Sequence, residues 1–234
     1  MTKYDYIFWD FDGTIMNTYP GVSESVKYAL RFYGIEETDE KNLRSMIGPP
    51  FRESFPGIYG FDQETTEEVI KRYRSYYRKG AMFHGDLYPG VQEAAAAFRK
   101  AGLRQAVTTS KAQEMCENIL EHKGWTVMFD DVFGATLDGR ISTKIQVLNE
   151  AIRILGNPDR SRIVLIGDTK YDADGAREAG IDCIGVTYGF GTAEDLLGHG
   201  ACAVFDTLGE VKEFILKSET PGFGILNDRK HPEE

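Results

Sequence analysis

Apolar positions run unbroken from Tyr6 to Trp9 and stop at Asp10-Phe11-Asp12-Gly13-Thr14. A short apolar run without alternation predicts a strand covered on both faces, here Tyr4 to Trp9. The pattern then changes period. From about Tyr19 to Lys79 apolar residues recur at helical spacing and no strand is evident. Val22, Val26, Leu30 and Tyr33 mark a first helix, with Gly34 as its stop. A second helix is expected over Asn42 to Ile47, broken by Gly48-Pro49-Pro50, with a short restart from Phe51 to Phe55. A longer helix over Gln63 to Lys79 puts Val69, Tyr73, Tyr76 and Tyr77 on one side.

Beyond Leu87-Tyr88-Pro89-Gly90 helix and strand alternate nearly to the end. Strands are expected at Leu103 to Thr109, Phe129 to Phe133, Arg162 to Ile166, Asp182 to Val186 and Ala203 to Phe205. Between them fall helices at Val91 to Lys100, Lys111 to His122, Lys144 to Leu155, Tyr171 to Ala179, Thr192 to Leu197 and Thr207 to Leu216. Such alternation implies right-handed βαβ units, hence an α/β fold with a doubly wound parallel sheet. The expected organisation is a core made of residues 1–16 and 86–217, with a helical cap at 17–85 inserted after the first strand. Residues 218–234 carry no periodicity, consistent with a disordered tail.

Composition narrows the classes of function. The chain has 234 residues and a formal net charge of -10, which argues against a nucleic-acid polymer or an anionic membrane surface as partner. No apolar run approaches the ~20 residues of a membrane span, and no signal peptide is read at the N-terminus. Cys116, Cys183 and Cys202 are odd in number and widely spaced, which suits reduced thiols in a cytoplasmic location, with Cys183 in the core.

Candidate chemistry gathers where predicted strands end. A buried strand should not carry Asp10 and Asp12 into the core, so both are expected in the crevice beyond its carboxyl end. Gly13 allows a sharp turn there. The second strand ends in Thr109-Ser110-Lys111, hydroxyls expected to open a helix whose free N–H groups favour an anion. Lys144 starts the helix after the polar turn Asp138 to Thr143. The strand at Arg162 to Ile166 runs into Gly167-Asp168-Thr169-Lys170-Tyr171-Asp172, adding two carboxylates. Taken singly, these residues could be helix caps or solvated helix starts. Together on one sheet edge they read as a phosphoryl-handling site, and an acidic protein that binds phosphate most simply gains positive charge from a divalent cation.

These four segments resemble the motifs of the haloacid dehalogenase-like superfamily of phosphohydrolases with a helical cap: Asp10-x-Asp12-Gly13-Thr14, Thr109 with Ser110 and Lys111, Lys144, and Gly167-Asp168-x-x-x-Asp172. Ile47 to Phe55 is similar to a branch labelled phosphoglycolate phosphatase-like or 5′-nucleotidase-like. The resemblance implies that Asp10 attacks phosphorus and Asp12 protonates the leaving alkoxide, then activates water. It implies Mg²⁺ held by Asp10, the Asp12 carbonyl and Asp168, with Asp172 behind them. Thr109 and Lys144 would hold phosphoryl oxygens, with Gly13, Thr14, Ser110 and Lys111 as further substrate-binding positions. The substrate would be a small phosphorylated metabolite.

Asp12 argues against a dehalogenase, since a halide leaving group needs no proton. A sugar phosphomutase of this fold is expected to carry a cap-side histidine soon after the first motif. Here Asn17, Thr18 and Tyr19 follow, and the nearest histidine is His84. A phospho-accepting domain without turnover is the alternative from another class. Arg52 has two readings, a cap-side contact to substrate or a solvated helix start. Lys111 either assists Lys144 or begins its helix, and His84 reads as structural.

Overall fold

The computed structural model describes residues 2–217, so the expected tail at 218–234 lies outside the described residues. The first apolar run is strand β1 (Tyr6–Trp9), with Ile7, Phe8 and Trp9 fully buried. Phe8 points into the apolar layer on one face of the sheet, while Ile7 and Trp9 point into the other. Strand alternation combined with burial on both sides explains why no polar residue interrupts the run.

Four helices follow: α1 (Tyr19–Arg31), α2 (Glu40–Ser45), α3 (Phe51–Tyr59) and α4 (Gln63–Arg78). The alternating part comprises α5 (Val91–Lys100), β2 (Arg104–Ala112), α6 (Gln113–Lys123), β3 (Asp131–Ala135), α7 (Lys144–Ile154) and β4 (Ile163–Gly167). It continues through α8 (Lys170–Ala179), β5 (Asp182–Val186), α9 (Ala193–Gly198), β6 (Ala203–Phe205) and α10 (Leu208–Lys217). The strands form one sheet in the order β3-β2-β1-β4-β5-β6, with every pairing parallel. The chain moves outward from β1 through β2 to β3 and then returns to lay β4 beside β1. The strand order therefore reverses between β1 and β4, the position where open α/β sheets bind ligands.

The helical region joins the sheet edge by two adjacent crossings. Asn17 donates its N–H to the Asp86 carbonyl at 2.9 Å, and Met16 bridges Leu87. Val26, Leu43, Phe55 and Tyr77 from α1–α4 share one apolar cluster with Ile7 and Trp9. Among the described residues, no helix is long and apolar enough to cross a membrane. Cys183 is buried in β5.

Several boundaries differ from expectation for local reasons. Helix α2 begins at Glu40 because the Asp39 carboxylate accepts the Lys41 N–H at 2.8 Å. Helix α3 runs on to Tyr59 and closes at left-handed Gly60. Strand β3 starts at Asp131, since Phe129 ends a short turn and packs its ring edge-on against Trp9 at 6.2 Å. The largest departure is at β2, which extends to Ala112, so Lys111 does not open a helix. Its pairing with β3 passes from Thr109↔Gly134 directly to Ala112↔Ala135, which leaves Ser110 and Lys111 as the extra residues of a bulge. Gly134 makes that bulge possible: a Cβ there would lie 2.7 Å from the Lys111 carbonyl oxygen.

Candidate active site

Past Trp9 the chain leaves the sheet in a tight loop. The Phe11 carbonyl accepts the N–H groups of Ile15 and Met16 at 3.0 Å, and Gly13 donates to the Met16 carbonyl at 2.9 Å. Gly13 has φ +90, and a Cβ there would collide with the Asp168 carboxylate. The loop turns Asp10 inward, where it is buried, while the Asp12 side chain stays 21% exposed.

Strand β4 delivers the second pair. Asp168 is fully buried; it accepts from Thr14 Oγ1 at 3.1 Å and from the Phe190 N–H at 2.8 Å. Asp172 lies one turn into α8, where its Oδ2 accepts from the Thr169 N–H at 3.0 Å and from the Thr169 hydroxyl at 2.9 Å. Oxygens of Asp10, Asp168 and Asp172 lie within 4.8 Å of one another. Lys144, the first residue of α7, reaches across this trio. Its ammonium donates to Asp10 Oδ1 and, at 2.9 Å, to the Thr108 carbonyl, and it pairs with Asp172 Oδ1 at 2.8 Å.

A second ion pair stands beside the first. Lys111 Nζ lies 3.0 Å from Asp12 Oδ1 and donates to the Tyr77 hydroxyl at 3.0 Å, its side chain only 8% exposed. Thr109 is buried and accepts the Lys111 N–H on its hydroxyl at 3.1 Å, whereas Ser110 is exposed. The structure thus brings Asp10, Asp12, Asp168, Asp172, Thr109, Lys111 and Lys144 to one sheet edge. Arg52 is not among them: it sits on α3, 66% exposed, and pairs with Glu67 of α4 at 2.5 Å. His84 is not among them either and pairs with Glu24 at 2.8 Å. The expected helix N-terminus behind Thr109 and Ser110 is absent there, because α6 begins only at Gln113, past the bulge.

Electrostatics follow from this count of charges. Burial pushes the Asp10 carboxyl up to about 7, against the pull of Lys144 and with Asp172 adding to the rise. Burial, then Asp172 and Asp10, hold Asp168 well above the usual carboxylate range. Burial opposes the charge on Lys144, but Asp10 and Asp172 outweigh it and keep that ammonium above the ordinary lysine range. Lys111 is likewise held up by Asp12 against its burial. Three buried acids against one ammonium leave uncompensated negative charge, which protons or a hard cation must relieve. An all-oxygen donor set of this kind fits Mg²⁺.

Two contributions escaped the sequence reading. The loop after β5, Thr187-Tyr188-Gly189-Phe190-Gly191, supplies the N–H on Asp168, and the Tyr188 hydroxyl donates to the Thr14 carbonyl at 2.9 Å. Paired glycines after a buried strand were its available signal. Tyr77 gave none, because an aromatic on the apolar face of a helix reads as packing.

A family model described as "Haloacid dehalogenase-like hydrolase" matches residues 7–186. The 5′-nucleotidase of Pseudomonas aeruginosa is 32% identical over 214 residues, covering 90% of this chain and 96% of that protein. Tyrosine-protein kinase PtkA of Mycobacterium tuberculosis is 34% identical over 188 residues, 80% of this chain but 64% of that longer protein. The phosphoglycolate phosphatase of Mesorhizobium japonicum is 28% identical over 189 residues, covering 79% of this chain and 83% of that protein. Among solved structures, a "predicted phosphatase" from Clostridium acetobutylicum superposes with a TM-score of 0.86 at 36% identity, covering 92% of this chain and 99% of that one. With the family pattern running from the first strand through the fifth, and phosphatases among its near relatives, this chain belongs to the haloacid dehalogenase-like hydrolases.

Proposed function

We propose that the protein is a Mg²⁺-dependent phosphatase of small phosphomonoesters that works through an aspartyl phosphate. The observation that carries this is the division of labour around Asp10. One carboxylate sits with two further acids and Lys144, while Asp12, two residues on, is held apart by its own lysine. A nucleophile and an acid–base group need that separation of environments.

In this reading Asp10 attacks phosphorus and the ester P–O bond breaks. Asp12, a carboxylate beside Lys111 in the resting site, is primed with a proton from water and gives it to the departing alkoxide, leaving an alcohol. Asp12, now a carboxylate, takes a proton from water as that water attacks phosphorus; the acyl phosphate splits into inorganic phosphate and the Asp10 carboxylate. Lys144 and Thr109 hold phosphoryl oxygens as charge develops, with Gly13, Thr14, Ser110 and Lys111 around them. Asp10, Asp168 and the Asp12 carbonyl would hold Mg²⁺, with Asp172 supporting from its position on Lys144. Bound there, the cation would neutralise the repulsion between a carboxylate and a phosphate dianion. Residues 17–85 serve as the cap, and Arg52 reaches substrate from it by leaving Glu67. The position of His84 on Glu24 favours hydrolysis over mutase chemistry.

Nucleoside 5′-monophosphates and phosphoglycolate are the first substrates to test. We expect steady phosphate release from at least one of them in Mg²⁺, lost with EDTA and regained on adding Mg²⁺. Stable phosphorylation of the protein without turnover, or transfer to a protein tyrosine, would overturn the reading.

A further inference from the structure

Lys111 owes its place to a backbone irregularity. Were β2 regular to its end, successive side chains would alternate between the faces of the sheet. The bulge at Ser110 and Lys111 breaks that alternation and re-aims the lysine, a use of bulges common beside active sites. Its ammonium then lies between Asp12 Oδ1 at 3.0 Å and the Tyr77 hydroxyl at 3.0 Å. Those partners come from different parts of the chain. Asp12 belongs to the loop after β1, and Tyr77 to the last turn of α4 in the helical region. Tyr77 is buried and its ring stacks on Tyr73, centroids 5.3 Å apart, so the phenol has little freedom to wander.

A lysine ammonium on a flexible stem is a poor positioning device by itself, because its four-carbon stem samples many rotamers. Two partners from separate parts of the chain restrict that freedom. We propose that Tyr77 is a positioning residue for the proton-transfer step: through Lys111 it sets the orientation of the Asp12 carboxyl, and it does so only while α4 is seated on the sheet edge. This rests on the reading of Asp12 as general acid. The hydroxyl of Tyr77 therefore makes the acid's geometry depend on closure of the helical region. A cap that lifts takes the phenol with it and leaves Lys111 with one partner.

The test uses the leaving group. p-Nitrophenolate departs without a proton, whereas the alkoxides of adenosine 5′-monophosphate and phosphoglycolate need one. The ratio kcat/KM covers steps only through leaving-group departure, so the later role of Asp12 as base does not enter it. We expect Tyr77→Phe to lower kcat/KM for the better alkyl ester about tenfold, chiefly in kcat, and for p-nitrophenyl phosphate less than about threefold. Lys111→Gln, which also stands among the phosphoryl-binding groups, should cost both substrates and the alkyl ester more, and Asp12→Asn should show a larger asymmetry than Tyr77→Phe. Melting temperatures of the variants report whether each is folded; if Tyr77→Phe is not, Tyr77→Met, which likewise lacks the hydroxyl, takes its place. Equal losses on both substrates, or no loss, in the folded Tyr77 variant would overturn the inference whatever Lys111→Gln does, while Asp12→Asn still discriminates. If Asp12→Asn itself fails to discriminate, the general-acid reading falls first and the inference with it.

Discussion

The two halves of the candidate site are built differently. Around Asp10, every group comes from the sheet edge: Asp168 and Asp172 follow β4, and Lys144 opens α7. That half is buried, and its acids outnumber its ammonium. Around Asp12 the charges match one to one, the carboxylate is partly exposed, and the lysine reaches into the helical region through Tyr77. The first half carries an electrostatic debt that a cation can relieve; the second is an ion pair, whose carboxylate must be aimed and must take up a proton before it can give one. Charge excess suits binding a metal and a phosphate, and a balanced pair suits moving a proton.

The largest expected effect breaks the first half at its centre. Asp10→Asn should reduce phosphate release by about 10⁴-fold or more, as loss of a nucleophile does. The same change removes a buried negative charge, so at pH 8 with EDTA its melting temperature should rise above wild type. A fall in melting temperature with activity retained would contradict both the nucleophile and the excess of charge.

Next comes Lys144→Met, which leaves the three acids with no ammonium. Unfolding followed by urea in EDTA at pH 8 should show a loss of about 3 kcal/mol, the order expected when a buried charge pair loses one partner. An acid that binds its proton more tightly when folded adds stability at low pH, and that contribution is lost as pH rises through its folded pKa. Asp10 and Asp168 are both raised, so the loss should shrink at pH 5, where Asp10, at about 7, is protonated. Wild type without metal should likewise be more stable at pH 5 than at pH 8, and Mg²⁺ should restore more at pH 8. A flat profile would mean the acids do not share one desolvated pocket.

The smallest effect tests the cap. Arg52→Ala breaks an exposed pair with Glu67, so stability should change by less than about 1 kcal/mol. KM for phosphoglycolate or the nucleotide should rise severalfold with KM for p-nitrophenyl phosphate unchanged. Equal KM values would leave Arg52 with Glu67 alone.

The legible part of the site is its local part. Asp10, Asp168 and Lys144 each stand directly after or beside a buried strand or a helix start, and a parallel sheet brings such ends to one edge whatever the details of its loops. Apolar periodicity was therefore enough to establish the α/β class and the helical insertion, and it placed most of the acids. Three things needed the folded chain. The bulge at Ser110 and Lys111 depends on what β3 offers opposite, namely a glycine with room for a carbonyl oxygen, and no pattern along β2 alone shows that. The hold of Phe190 on Asp168 joins loops 22 residues apart through a backbone N–H, a donor every residue type but proline has. Tyr77 combines a ring that any helix face would bury with a hydroxyl whose partner lies 34 residues away. Periodicity reports which side of an element is covered; which polar atom meets which across the fold is settled only when distant segments are packed together, because hydrogen bonds act over about 3 Å and chain order carries no such distance.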